Sequence, residues 1–567
     1  MKKLFAILML GAVCIAYSQK NLSTDYAYKV SEPYKVFDAK EKLYFAKGNE
    51  VMALKFDGKE VIIQKFNSDT PAFVKEKLYE KYFPKNYQVE DVLEINGNYY
   101  FFFSSWDGDN QKEQLFSIQI DYTKGEFIGS PKLLFQVNGK VTGSPMNLNN
   151  SLGGGFMWFA MGTANKFDFM QSNDRKHILI QYRKKPLEKK DTKSTDIIGL
   201  YTYDGDLTKI FGNEVTMPYT ERRMDNMDYQ LDDQGNLYLL AKVFHDDSNK
   251  DKKNRKDTEA NYHLELFLIK SGSDKIQITK FENKDKFINK LWLFDTDKDY
   301  LICSGFYSNK EGSNSWLARN SYFDDVDGIA LFKIKKDGTI YDENFHEIPT
   351  EVLNQYESAR TVRKNERKER KGESAEFKDL ELRDIAINTD GSVILVGEQY
   401  FTIYHQSYGG GGMGMGMGGM NSGGYYTYHY CDLLVTKINA DGKLGWMKKV
   451  PKNQVGKNGQ GGMSYKYFNT ANNHFLVFYD NVKNFDLPLD KEPKQHSDGQ
   501  GGYLTAVKIS DVDGTLKKGS ILNSRDVEDF KIYQFATKRI VKTSEDSFLL
   551  EVYKKQKEDI MIKVVLK

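Results

Sequence analysis

Cysteine is nearly absent from this sequence, with three residues in 567. Cys14 lies in the first apolar run, so only Cys303 and Cys431 remain for the body of the chain, and a disulfide framework is excluded. Both fall in stretches that read as strands and are expected as buried free thiols. An excess of charge of one sign is also missing: 81 Lys and Arg oppose 79 Asp and Glu, a net charge of +2. Without Lys2 and Lys3 the balance is zero, which excludes a general binder of nucleic acid or anionic membrane. After Gln19 no apolar run reaches the length of a membrane-spanning helix, so the mature chain is expected to be soluble on its own. No Gly-x-Ser-x-Gly elbow, His-Glu-x-x-His, P-loop or Cys-x-x-Cys occurs, so no familiar catalytic motif points to an enzyme. Proline is scarce, at 11 residues.

The first residues set an expectation of export. Lys2 and Lys3 precede the apolar stretch Leu4 to Ala16, and Ala16-Tyr17-Ser18 offers small residues for cleavage before Gln19. Residues 1–18 read as a signal peptide and 19–567 as one domain in the periplasm or on the cell surface. Val13 and Gly11 around Cys14 argue against lipidation.

Aromatic residues are plentiful, 14% of the chain with 36 Tyr and 36 Phe. Together with apolar–polar alternation they favour strands. One short strand recurs: VMALKF (Val51 to Phe56), QLFSIQI (Gln114 to Ile120), IIGLYTY (Ile197 to Tyr203), LELFLIK (Leu264 to Lys270), IALFKIK (Ile329 to Lys335), LLVTKI (Leu433 to Ile438), LTAVKIS (Leu504 to Ser510) and IMIKVVL (Ile560 to Leu566). Asp57-Gly58, Asp204-Gly205, Asp337-Gly338, Asp441-Gly442 and Asp513-Gly514 follow five of the copies and suit the positive φ of tight hairpin turns. A further strand precedes each copy, such as NYYFFF (Asn98 to Phe103) or HFLVFY (His474 to Tyr479). The unit is four antiparallel strands, A to D, with the copy as strand C, recurring at roughly 65 to 100 residues. The expected fold is all-β: a single β-propeller of eight four-stranded blades, with seven as the alternative, bearing short helical insertions. The eighth unit supplies only strands A, B and C. DYAYKV (Asp25 to Val30) is therefore expected to close the ring and cover an edge that would invite aggregation.

The stretch ILVGEQY … DLLVTKINADGKLGWMKKVPK, Ile394 to Lys452, resembles repeats of exported β-propeller proteins of Bacteroidota, and the leader ending in Ser-Gln is similar to theirs. The resemblance implies the fold and carries no catalytic motif across.

In a four-stranded meander the B–C and D–A connections emerge on one face and the A–B and C–D turns on the other. The long connections are almost all of the first kind. The B–C loops of units 3 to 7 span roughly 183–196, 243–263, 307–328, 401–432 and 480–503, and insertions are expected at 66–87, 137–165, 349–378 and 401–432. VKEKLYEKY (Val74 to Tyr82) and EVLNQYESARTVRKNERKERK (Glu351 to Lys371) read as helical by propensity and charge pattern.

That face carries the candidate site. GGGGMGMGMGGMNSGG (Gly409 to Gly424) leads into YYTYHY (Tyr425 to Tyr430). Glycine is costly to order and methionine adapts its shape, so Met413, Met415, Met417 and Met420, with Tyr425 and Tyr426, suit a loop that orders against an apolar partner. An insertion without a role, and a soft-metal site with His405 and His429, are the alternatives. Phe156, Met157, Trp158 and Phe159, within Ser151 to Gly162, form a second apolar patch that is either a contact surface or a plug against the propeller. The Asp-rich turns at 295–299, 324–328 and 511–514 complete no EF-hand loop and read as turn chemistry. The basic run Arg360 to Lys371 reads as a solvated helix face. The expectation is a non-enzymatic envelope propeller that binds a protein partner through this face, with no metal and no cofactor. In one form it is a plug or accessory subunit of an outer-membrane secretion or uptake channel. The alternative is a glycan- or peptide-processing enzyme with its site at the mouth of the central channel.

Overall fold

A computed structural model of the chain describes residues 22–142, 165–185, 193–253, 259–281, 286–309, 326–372, 375–406, 424–457 and 462–567. The strands form eight sheets, each built on four antiparallel strands taken in chain order, with one exception. The inner strands of blades 1 to 8 are Glu41–Lys47, Gln88–Ile95, Asp168–Gln171, Met224–Leu231, Phe287–Asp295, Leu380–Ile387, Tyr465–Asn469 and Ile540–Ser544. Neighbouring blades meet along them, as Met224–Leu231 does with Phe287–Asp295, and Glu41–Lys47 with Ile540–Ser544.

The exception is the closing blade. Ile540–Ser544, Ser547–Lys555 and Glu558–Leu566 supply three strands, and Tyr26–Val30 supplies the outer one, in register from Tyr26 opposite Leu566 to Val30 opposite Ile562. The ring thus has eight blades and closes through the strand that the sequence nominated.

There is no single core. Eight apolar clusters lie between blades, one at each seam. Middle strands are covered on both faces, which explains their unbroken apolar runs; every residue of Tyr262–Ile269 is buried. Outer strands face solvent and tolerate charge, so Phe73–Glu80 is almost wholly exposed. This last strand corrects the helix expected at Val74 to Tyr82. The segment pairs with Glu60–Asn67 as the outer strand of blade 1, and the 66–87 insertion is largely that strand. Its alternating Lys and Glu read as helical because no buried face marks the period. Blade 1 is accordingly displaced by one strand: VMALKF is its second strand, and Asp57-Gly58 turns between the second and third. The other copies occupy the third position, as expected.

Gly58, Gly338, Gly442 and Gly514 take φ of 96°, 89°, 83° and 69°, as their turns require. Gly205 does not, and Leu207 holds the left-handed conformation of that turn instead, at φ 57°. The 349–378 connection carries the helices Thr350–Leu353 and Ala359–Glu369, the second capped by Ser358 and without a buried residue. Lys449 moors this insertion, donating to the Glu357 carboxylate at 2.8 Å and the Gln355 carbonyl at 3.0 Å. Cys303 is buried and Cys431 half-buried, and among the described residues neither is in a disulfide. Among the described residues no helix is long and apolar enough to cross a membrane.

The seam between blades 8 and 1 differs from the rest. Its apolar cluster has six residues, and an ionic cluster takes the remaining space. The Glu551 carboxylate, fully buried, accepts from Lys42 Nζ at 2.8 Å, Lys55 Nζ at 2.7 Å and the Tyr44 hydroxyl at 2.7 Å. Asp559 lies 3.1 Å from Lys42 Nζ. Burial would raise the Glu551 carboxyl, but the ammoniums of Lys55 and Lys42 hold it well below the usual carboxylate range. Burial, and then the charge of Glu551, push Asp559 up to about 7.

Candidate functional site

Blade 6 rises above its neighbours on the face that bears the long connections. Val393–Gln406 and Gly424–Ile438 are 14 and 15 residues long, and they stay paired well past the end of the sheet. Beyond the bulge at Glu398/Tyr400 the register runs from Tyr400 opposite Tyr430 to Gln406 opposite Gly424. The result is a two-stranded ribbon with side chains alternating between its two faces.

Aromatic cross-strand pairs hold the ribbon together. Tyr400 meets Tyr430 at 4.9 Å between ring centroids, and Tyr404 meets Tyr426 at 4.9 Å. On the other face Phe401 stacks on His429 at 4.7 Å and His405 on Tyr425 at 4.9 Å. Thr427 Oγ1 bridges the Nε2 atoms of His405 and His429 at 2.9 and 3.0 Å. Towards the tip Tyr404, Tyr425 and Tyr426 are 48%, 50% and 41% exposed. At the root Gln454–Gly456 pairs with Tyr428–Tyr430, and His496–Ser497 joins it in parallel. Beneath lies a buried ion network: Lys452 Nζ is 2.8 Å from Glu398 Oε1, and Arg383 reaches Glu398 at 3.3 Å and Glu381 at 2.7 Å.

The structure places Tyr425 and Tyr426 on the ribbon. Met413, Met415, Met417 and Met420 lie outside the described residues, as do Phe156, Met157, Trp158 and Phe159. The expected 401–432 loop is corrected in part, since Phe401–Gln406 and Gly424–Asp432 are strand. Sequence reasoning missed Tyr400 and Tyr404. The alternation of FTIYHQ and GYYTYHY was the available signal; the glycine run between them masked it.

A second group of chemically active residues lies around the axis. The inner strands of all eight blades carry buried or half-buried charged residues, among them Lys42, Asp91, Asp168, Asp228, Lys290, Asp384, Lys466 and Lys542. Asp91, Asp228, Lys290 and Asp384 each follow a β-bulge, which re-aims a side chain. Burial pushes Asp91 up to about 8, with the charges of Glu90 and Asp168 adding to it, although the Val92 N–H opposes. Burial likewise pushes Asp228 up to about 8, against the N–H groups of Leu293 and Tyr229. Lys290 is pushed down to about 8 by burial. Carboxylates and ammoniums thus alternate irregularly around the blades, and among the described residues no group of three or more His, Cys, Asp or Glu is arranged to hold a metal ion.

No known protein family matches this chain, and no curated protein does. Several solved structures resemble it. A prolyl endopeptidase studied for inter-domain dynamics in catalysis is 9% identical with a TM-score of 0.37, over 93% of this chain and 55% of that one, so this chain spans about half its length. The β-propeller domain of the Trilobed protease from Pyrococcus furiosus, described as having an open velcro topology, is 10% identical with a TM-score of 0.33, over 87% of this chain and 98% of that one. A polysaccharide lyase of family PL25, an ulvan lyase, is 10% identical with a TM-score of 0.35, over 83% and 90%. Similarity at this level carries no argument about activity, and the propeller rests on the chain's own strand order.

Proposed function

We propose that this chain is an exported, non-enzymatic propeller that binds another envelope protein through the face bearing its long connections, with the blade 6 ribbon at the contact. The ribbon carries the reading. Three tyrosines, 41 to 50% exposed, stand on a paired support rooted in a buried ion network. Tyrosine offers large contact area at low entropic cost, and exposed aromatic patches mark interaction surfaces. In its finer form the partner is an outer-membrane channel, and the Gly409 to Gly424 segment enters its mouth as a plug or accessory element. The composition of that segment, glycine with four methionines, supports this form.

The test is affinity purification from the native envelope in mild detergent. Wild-type chain is compared with a deletion of Gly409 to Gly424 and with Tyr404→Ser/Tyr425→Ser/Tyr426→Ser. A stoichiometric partner held by wild type and lost from both variants is the expected result. Identical partners in all three preparations would sink the reading.

A second reading, a glycan- or peptide-processing enzyme at the channel mouth, is favoured by one observation. Asp91 and Asp228, on inner strands, hold a proton near neutral pH as a general acid must. Hydrolysis of glycan or peptide substrates that Asp91→Asn or Asp228→Asn abolishes would favour it over the first.

A further inference from the structure

At the seam of blades 3 and 4, on the same face, two histidines and a carboxylate form a file from the surface inward. His245 follows the second strand of blade 4, and His263 and Glu265 lie on the third, Tyr262–Ile269. His245 is exposed, whereas His263 and Glu265 are 7% and 4% exposed. His263 Nε2 is 2.8 Å from Glu265 Oε1, and the Tyr219 hydroxyl of blade 3 donates to the same oxygen at 3.0 Å. Glu265 Oε2 is buried with no hydrogen-bond partner. On the outer side His263 Nδ1 faces His245 Nε2 at 3.2 Å.

The tautomer follows from the carboxylate. With Nε2–H of His263 donated to Glu265, Nδ1 presents its lone pair outward, towards the second imidazole. Two imidazole nitrogens bound to one tetrahedral zinc, with Zn–N near 2.0–2.1 Å, stand about 3.3 Å apart. The pair is therefore already at ligand spacing, and the carboxylate behind one ring is the orienting partner that metal-bound histidines take. The loop is held in place as well. The Arg223 guanidinium donates to the Phe244 carbonyl at 3.3 Å and the His245 carbonyl at 3.4 Å, and Asp246 accepts from the Ser248 N–H and Asn261 Nδ2, both at 2.9 Å.

We infer that His245 and His263 bind a divalent transition-metal ion of the zinc class, with Glu265 orienting His263 and the remaining positions open to water or a ligand donor. The sequence assigned no metal here because the histidines are 18 residues apart and no motif joins them. The inference is independent of the partner-binding reading, and its test leaves the ribbon intact.

Full-length chain freed of metal by chelator dialysis is titrated with Zn²⁺ against a chromophoric competitor. One equivalent with a Kd on the order of 1 μM is expected. His245→Ala, a surface change that leaves the fold in place, should remove that equivalent. Glu265→Gln should weaken it about 10- to 100-fold without removing it. His405→Ala/His429→Ala, on the ribbon, should leave it unchanged. The inference is overturned if wild type takes up no equivalent with a Kd below about 100 μM, or if His245→Ala binds as wild type does. Either result would identify the contact as an ordinary N–H···N hydrogen bond between the two rings.

Discussion

Glu551→Gln is expected to loosen the ring at its closure. The seam between blades 8 and 1 has six residues in its apolar cluster, against twenty-one in the cluster between blades 7 and 8. Hydrophobic burial is thus weakest where the chain must join its two distant segments, and the Glu551 cluster occupies the gap. The substitution keeps the shape and one acceptor but removes the charge that offsets two ammoniums, on Lys42 and Lys55, which are 5% and 0% exposed. Removing one partner of a buried ion pair costs about 3–5 kcal/mol. The retained acceptor and the nearby Asp559 place this variant at the lower end, about 3 kcal/mol. Urea denaturation followed by circular dichroism measures the loss, and limited proteolysis around residues 22–40 reports whether the closing strand is released first. A cycle with Lys55→Met isolates the pair. The double variant should be more stable than the sum of the single losses implies, by at least about 1 kcal/mol. Were Glu551→Gln within about 0.5 kcal/mol of wild type, as a neutral surface change is, or the two losses additive, the cluster would not hold the seam.

Three further outcomes can be checked. Asp91, Asp228 and Asp559 are pushed up to about 8, 8 and 7 when folded, from an ordinary 3.8, so the folded chain binds the extra protons between about pH 4 and 8. Stability should therefore fall as pH rises through that window, and the urea midpoint of Asp91→Asn/Asp228→Asn should fall less steeply; an unchanged slope would contradict the assignment. Glu551 has the opposite sign: its stabilisation is present above its unfolded value, near 4.5, and is lost as pH falls through its depressed folded value, so Glu551→Gln should flatten acid denaturation. Removing residues 22–30 bares the edge of Glu558–Leu566 and should drive concentration-dependent association in light scattering, whereas a strictly monomeric product would show that the edge is protected in another way.

The blade count and the closing strand were legible because each rests on a short-range signal. Turn glycines and paired apolar strands recur, and the last unit is short of a strand. Phe73–Glu80 was not legible as a strand. An outer strand in water carries no apolar period, and its lysines and glutamates satisfy helix rules equally well. Of the candidate site, Tyr425 and Tyr426 were found through their place beside the glycine run. Tyr404 was not, because its partner Tyr426 is 22 positions on and the cross-strand pair exists only once the register is known. The His245–His263–Glu265 file is invisible in sequence for the same reason. Its fourth member, Tyr219, belongs to the neighbouring blade.

The antiparallel closure also determines how the ring would respond to force. The Lys567 N–H donates to the Asp25 carbonyl at 2.8 Å, so residues 25 and 567 lie side by side at one end of the pair. A load applied through these two residues would meet the hydrogen bonds one after another, as a zip is opened, rather than all at once in shear. The ring should therefore yield at low tension from this point while the remaining blades stay folded.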